Sequence, residues 1–249
     1  MPSPAPLTAS PAASVWVAID GHVTDAGSAI PASIDLDQPR RGIALTPPGP
    51  AAPVNLLGLD LPLHSQLSDF WLRGDDVTAV YESADESADA RHLRTTAMWR
   101  HSPSGNGMRA WELVASAQTS LLQSDAVLAV VSEINAADIL WGTPIDGGVH
   151  WQADHSPGAT CVLLHRGGQA ESHRTSVLVA AHPGEARRIS IRRDGHRTVV
   201  ECWLFSTELE KGVLLRSRVL AAIGPAADAT GWAGDLAAAF AASPPFLTT

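Results

Sequence analysis

The chain has 249 residues, a mass of 26.1 kDa and a net charge of -9, with 45% hydrophobic and 17% charged residues. This composition excludes an intrinsically disordered chain, and the length is ample for a large core. The acidic balance excludes a nucleic-acid partner, because phosphate recognition needs a basic surface.

Residues 1–14, "MPSPAPLTASPAAS", are mostly Pro, Ala and Ser and read as a disordered tail. The stretch lacks a basic start and an apolar h-region, so it does not read as a secretory signal. No run of about 18 apolar residues follows, so no membrane partner is expected, and the cytoplasm is the expected compartment. Residues 15–67 hold one short strand signal, "VWVAI", and many prolines, among them "TPPGPAAP". They read as an extended arm that contributes one or two edge strands.

From Ser68 the pattern becomes β. In residues 68–147, "DFWLRGDDVTAVYE", "LRTTAMWRH", "AWELVASAQT" and "AVLAVVSEI" are strand-length runs separated by turn residues. Residues 148–249 repeat the scheme with "TCVLLHR", "HRTSVLVAAHP", "RTVVECWLF" and "GVLLRSRVLAAI"; "RISIR" hides a further short strand. The two sets align strand by strand, with Glu112 over Glu201 and Ile134 over Ile223 at one shared offset. The last segment, "DATGWAGDLAAAFAAS", puts Trp232, Leu236 and Phe240 on one helical stripe, with Asp228 as N-cap and Pro244-Pro245 as stop. The fold class expected is therefore mostly β. Two related antiparallel four-strand meanders form a β-sandwich or curved supersandwich with one C-terminal helix, since two four-strand units are too few for a propeller.

The most unusual run is "WLRGDDVTAVY". On a continuous strand Trp71, Arg73 and Asp75 share one face, and Trp99 and Arg100 end a neighbouring strand. An aromatic face beside Arg and Asp is a way to hold sugars: the ring packs on C–H surface and charged groups take the hydroxyls. Trp71, Arg73, Asp75, Trp99 and Arg100 are thus the candidate ligand site, set against a plain Gly74 β-bulge with a structural ion pair. Asp75 and Asp76 point to opposite faces of a strand and cannot converge on one substrate atom. The ten histidines are scattered singly without metal-ligand spacing, so no metal and no cofactor is expected. Cys161 and Cys202 lie in apolar runs and read as buried free thiols. Folding "TVVECWLFSTELEKGVLLRSRV" about Leu209–Gly212 places Glu201 opposite Arg218, so a shielded cross-strand pair is expected there.

At "WELVASAQTSLLQSD", "ELEKGVLLRSRV" and "PPFLTT" the chain resembles a family of uncharacterised bacterial proteins with an LEKGV-type hairpin and a PPLTT-like C-terminus. The likeness covers the last three quarters of the chain in outline. It implies kinship and supplies no activity and no catalytic residue.

With no convergent catalytic set legible, the leading expectation is a non-catalytic binding or interaction module for a small molecule, glycan or protein. The alternatives are a carbohydrate-active enzyme on a mutarotase-like β-sandwich, by fold analogy, and a structural subunit of a β-rich oligomer.

Overall fold

The computed structural model of the protein describes residues 16–25, 30–46, 53–83, 92–102, 107–167, 174–185, 188–205 and 207–245. The expected tail, most of the acidic loop after Glu82 and His173 lie outside the described residues. Strands β1 (Trp16–Ile19), β2 (His22–Asp25), β3 (Ala32–Asp35), β4 (Ile43–Leu45) and β5 (Val54–Asp60) run as successive antiparallel neighbours, with a 3-10 turn at Pro39–Arg41. A meander follows: β6 (Ser65–Arg73), β7 (Asp76–Ser83), β8 (Leu93–Ser102) and β9 (Arg109–Thr119). Next come β10 (Gln123–Asp125), β11 (Leu128–Asn135), β12 (Asp138–Ile145), β13 (Gly148–Gln152), β14 (Cys161–Arg166) and β15 (Thr175–Ala181). The chain ends with β16 (Arg188–Asp194), β17 (Arg197–Phe205), β18 (Glu208–Glu210), β19 (Leu215–Pro225) and the helix α1 (Ala229–Ala242).

Among the described residues these strands build two large antiparallel sheets. One has eight strands in the order β1-β2-β3-β4-β5-β11-β17-β16. The other has nine, in the order β13-β12-β14-β15-β19-β9-β8-β7-β6, and β10 pairs with β18 apart from both. The expected fold class, an antiparallel β-sandwich with one C-terminal helix, is the observed one. The arm contributes more than expected: Trp16–Asp60 supplies five strands, and β5 is internal, between β4 and β11. The hidden strand "RISIR" is β16, at the edge of the eight-stranded sheet.

The core lies between the sheets. Leu36, Leu56, Val130 and Cys202 from one side meet Tyr81, Trp99, Trp111 and Val179 from the other. Two buried polar tips are satisfied across the gap: the Tyr81 hydroxyl donates to the Leu36 carbonyl at 3.0 Å, and the Trp99 indole N–H to the Leu57 carbonyl at 2.9 Å. Cys161 and Cys202 are buried free thiols in different sheets, and desolvation pushes both up to about 12.

The outer face of the nine-stranded sheet is divided. Helix α1 covers it over β14, β15 and β19, so those strands are buried on both sides and read as continuous apolar runs, "CVLL" and "SVLVAA". Over β8 this face is partly exposed, and the strand alternates: Leu93, Thr95, Ala97 and Trp99 point inward, and Arg94, Thr96, Met98 and Arg100 outward. The buried stripe of α1 is Ala229, Ala233, Ala237 and Phe240; Trp232 and Leu236 are only half-buried beside it. Small alanines let the helix approach the sheet closely, whereas the larger side chains straddle its flank. Asp228 does occupy the cap position, but in a left-handed conformation (φ 52°) and without a side-chain cap bond.

Phe240 alone contributes about 1.5–3 kcal/mol by burial. Removing the helix would also uncover Leu163, Leu178 and Leu220. Truncation after Gly224 should therefore yield insoluble protein; recovery of a soluble, cooperatively unfolding fragment would show that α1 is dispensable.

Two expectations fail here. The repeat is not confirmed: Glu112 lies on β9 in the nine-stranded sheet, but its aligned counterpart Glu201 lies on β17 in the eight-stranded sheet. Ile134 and Ile223 are exchanged in the same way, on β11 and β19. Any two hairpins share a two-residue alternation, so matched patterns do not fix which sheet a strand joins. The Glu201–Arg218 pair is absent for the same reason. β17 pairs with β11 and β16, and β19 with β15 and β9. Glu201 instead accepts from Arg192 at 2.7 Å and Ser190 at 3.1 Å.

Candidate functional site

The open half of the nine-stranded sheet carries a groove of about 600 Å³. Its shape follows from register. Trp71 on β6 stands beside Thr78 on β7, Met98 on β8 and Val114 on β9, which gives an apolar floor with one hydroxyl. One row along, Arg73, Asp76 and Arg100 stand side by side. On the other flank Thr96 and Ser116 lead to Arg216 on β19. Trp71 is 44% exposed, a large indole left open to solvent at the groove's edge.

Of the five residues singled out from sequence, Trp71, Arg73 and Arg100 line the groove; Asp75 and Trp99 do not. Gly74 and Asp75 form the β6–β7 turn, Gly74 with φ +58°, so the strand alternation that was to align Asp75 with Arg73 stops there. Asp76 takes the place opposite Arg73. Trp99 is fully buried on the inner face, where its indole serves the core. Thr78, Thr96, Met98, Val114, Ser116 and Arg216 are not singled out by the sequence, and Asp76, set aside there because it faces away from Asp75, lines the groove.

Arg100 grips Asp76 with two hydrogen bonds, from Nε at 2.9 Å and Nη2 at 3.0 Å. That bond raises the guanidinium pKa further, against the opposing effect of partial burial; Glu112, the register neighbour of Arg100 on β9, also raises it. Beyond the groove, Arg218 bridges two carboxylates, donating to Glu112 at 3.4 Å and to Glu185 at 3.3 Å. Charges thus alternate across the sheet from Asp76 through Arg100, Glu112 and Arg218 to Glu185. Among the described residues no group of three or more His, Cys, Asp or Glu side chains could hold a metal ion. A second hollow, about 470 Å³, has His155, Thr160, Arg188 and Ser190 among its lining and no carboxylate. No helix of the described residues is long and apolar enough to cross a membrane.

No family model matches the chain, and no curated protein matches it. Solved structures do. The galactose mutarotase related enzyme from Lactobacillus acidophilus matches with a TM-score of 0.46 at 8% identity, over 83% of this chain and 98% of that one. A candidate aldose 1-epimerase from Klebsiella pneumoniae subsp. pneumoniae gives 0.46 at 10% identity, over 78% of this chain and 60% of that one. A candidate mutarotase from Salmonella typhimurium gives 0.44 at 13% identity, over 84% and 92%. The leading expectation of a non-catalytic module is corrected on this point, because all three matches are named for enzymes that act on sugars. At such scores the likeness assigns no activity, and the groove's own residues carry the functional reading.

Proposed function

We propose that the protein is a carbohydrate-active enzyme whose sugar site is the groove over β6, β7, β8 and β9. The observation that carries this reading is Trp71: a half-exposed indole beside a floor of Met98 and Val114, ringed by arginines and by the hydroxyls of Thr78, Thr96 and Ser116. A sugar ring offers one C–H face to an aromatic plane and a rim of hydroxyls to charged and hydroxylic groups, which is the complement of this surface. Asp76, the carboxylate of the groove, stands beside Arg100 and is the proton acceptor of the site. Arg100 fixes that carboxylate in place with two hydrogen bonds.

The test is a saccharide screen by thermal shift, since a ligand that binds the native state raises its melting temperature. Trp71→Ala should abolish any shift given by the native protein and leave the circular dichroism unchanged. Loss of fold in Trp71→Ala would make Trp71 a structural residue, and an unaltered shift would place the sugar elsewhere. Asp76→Asn should retain the shift and lose turnover of whichever saccharide is converted.

A further inference from the structure

The groove's charge points beyond a neutral sugar. Arg73, Arg100 and Arg216 line it, against a single carboxylate, Asp76, and that carboxylate is taken up by Arg100. Neither the Arg73 nor the Arg216 guanidinium has an ion pair or side-chain hydrogen bond among the described residues. Arg216 is only partly exposed, so it stands half out of water with its donors unused. The chain as a whole carries -9, which makes two spare cations in one groove a local reversal of sign.

Their spacing is informative. Arg73 lies on β6 and Arg216 on β19, four strands apart, and neighbouring strands are spaced by about 4.8 Å, so the two backbones stand roughly 19 Å apart across the sheet. Trp71, Met98 and Val114 lie between them. The register also sets Arg216 four residues along β19 from the row of Arg73, about 14 Å further, so one small anionic group does not reach both arginines, whereas an extended ligand with a negative charge towards each end can.

Resting on the sugar reading above, we infer that the groove takes an acidic oligosaccharide, a chain of several rings bearing carboxylate or sulfate groups. Arg73 and Arg216 receive anionic substituents at its two ends, and Trp71 stacks on a ring between them. Arg100, already committed to Asp76, shapes the floor.

The test is calorimetric titration of the full chain with tetragalacturonate, a sulfated carrageenan tetrasaccharide, neutral cellotetraose, monomeric galacturonate and inorganic polyphosphate. The acidic tetrasaccharides should bind about tenfold or more tighter than cellotetraose, the scale of one charge-assisted contact. That preference should shrink in about 0.5 M NaCl, where exposed charges are screened. Arg73→Gln and Arg216→Gln should each weaken tetragalacturonate about tenfold more than they weaken cellotetraose. Monomeric galacturonate should respond to at most one of the two substitutions. Stronger binding of the carrageenan fragment would uphold the inference with sulfate as the anionic group. Equal binding of neutral and acidic tetrasaccharides, both lost in Trp71→Ala, would overturn the acidic inference and leave the sugar reading standing. Polyphosphate equal to tetragalacturonate would overturn both, as would no binding by any saccharide.

Discussion

Arg218→Met should destabilise the protein by about 3–5 kcal/mol, the range seen when one partner of a buried charge pair is removed. The Arg218 side chain is 7% exposed and Glu185 5%, with Glu112 at 17%. One cation therefore serves two shielded carboxylates. It also donates from Nη2 to the Pro244 carbonyl at 2.8 Å and lies over the Phe240 ring, 5.2 Å from its centroid. Methionine keeps most of the apolar stem and loses all of these bonds, so the buried Glu185 loses the guanidinium and keeps His182 Nδ1 at 3.7 Å. The substitution should act on the helix as well as on the charge. Among the described residues His182 would still bind the end of α1, through its ring nitrogen to the Ser243 carbonyl at 2.9 Å. Urea unfolding measures the total cost, and hydrogen exchange should show α1 amides opening before the strands. Adding Glu185→Gln to Arg218→Met should recover part of the loss, with a coupling of about 1–3 kcal/mol. A cost under about 1 kcal/mol, the value of an exposed pair, would mean that water reaches the carboxylates.

Where the sequence could be read, local alternation carried the information, and where it could not, the cause was pairing between distant strands. The contrast between "LRTTAMWR" and "SVLVAA" already separates a sheet half with one open face from a half covered on both, before any coordinate is known. Consistent use of that alternation along β8 also assigns Trp99 to the core and Arg100 to the outside, since adjacent strand residues face opposite ways. The misplacement of Trp99 in the ligand patch came from treating two neighbours as one surface. Strand continuation through Gly74-Asp75 misplaces Asp75; a two-residue turn there brings Asp76 opposite Arg73. Arg216 had no such signal. It reaches the groove because β19 inserts between β15 and β9, pairing Arg216 with Ser116, and no local pattern specifies that partner. The same non-local choice decided the fates of Glu112, Glu201 and Arg218.

The other large effect expected is from a single methyl group added where two backbone segments touch. The 3-10 turn at Pro39–Arg41 crosses β5 at Gly58, and a Cβ there would sit 2.0 Å from the Arg40 carbonyl oxygen and 2.5 Å from its carbon. A Cβ on Gly42 would sit 2.2 Å from the Leu56 carbonyl oxygen and 2.4 Å from the Gly58 nitrogen. These obstacles are backbone, so no side-chain rotation relieves them. The strand cannot easily retreat. Leu57 is held in the left-handed region (φ 57°), its N–H bonded to the Ser132 hydroxyl and its carbonyl to the Trp99 indole. Moving Gly58 would break the inter-sheet bond that satisfies a fully buried tryptophan. Overpacking costs typically about 1–3 kcal/mol, so Gly58→Ala should reach about 3 kcal/mol, at the top of that range. Gly42 adds a backbone of φ 57° and ψ -135°, a glycine region worth about 1–3 kcal/mol more, so Gly42→Ala should exceed Gly58→Ala. Gly74 supplies the control: its φ is +58°, but nothing stands within 4 Å of its added Cβ. Gly74→Ala should cost only the conformational part, about 1–2 kcal/mol. In a chain of this size 1 kcal/mol moves the melting temperature by about 2–4 °C, so calorimetry separates the three variants. Equal losses for Gly74→Ala and Gly58→Ala would assign the cost to backbone conformation alone and dismiss the contact between the 3-10 turn and β5.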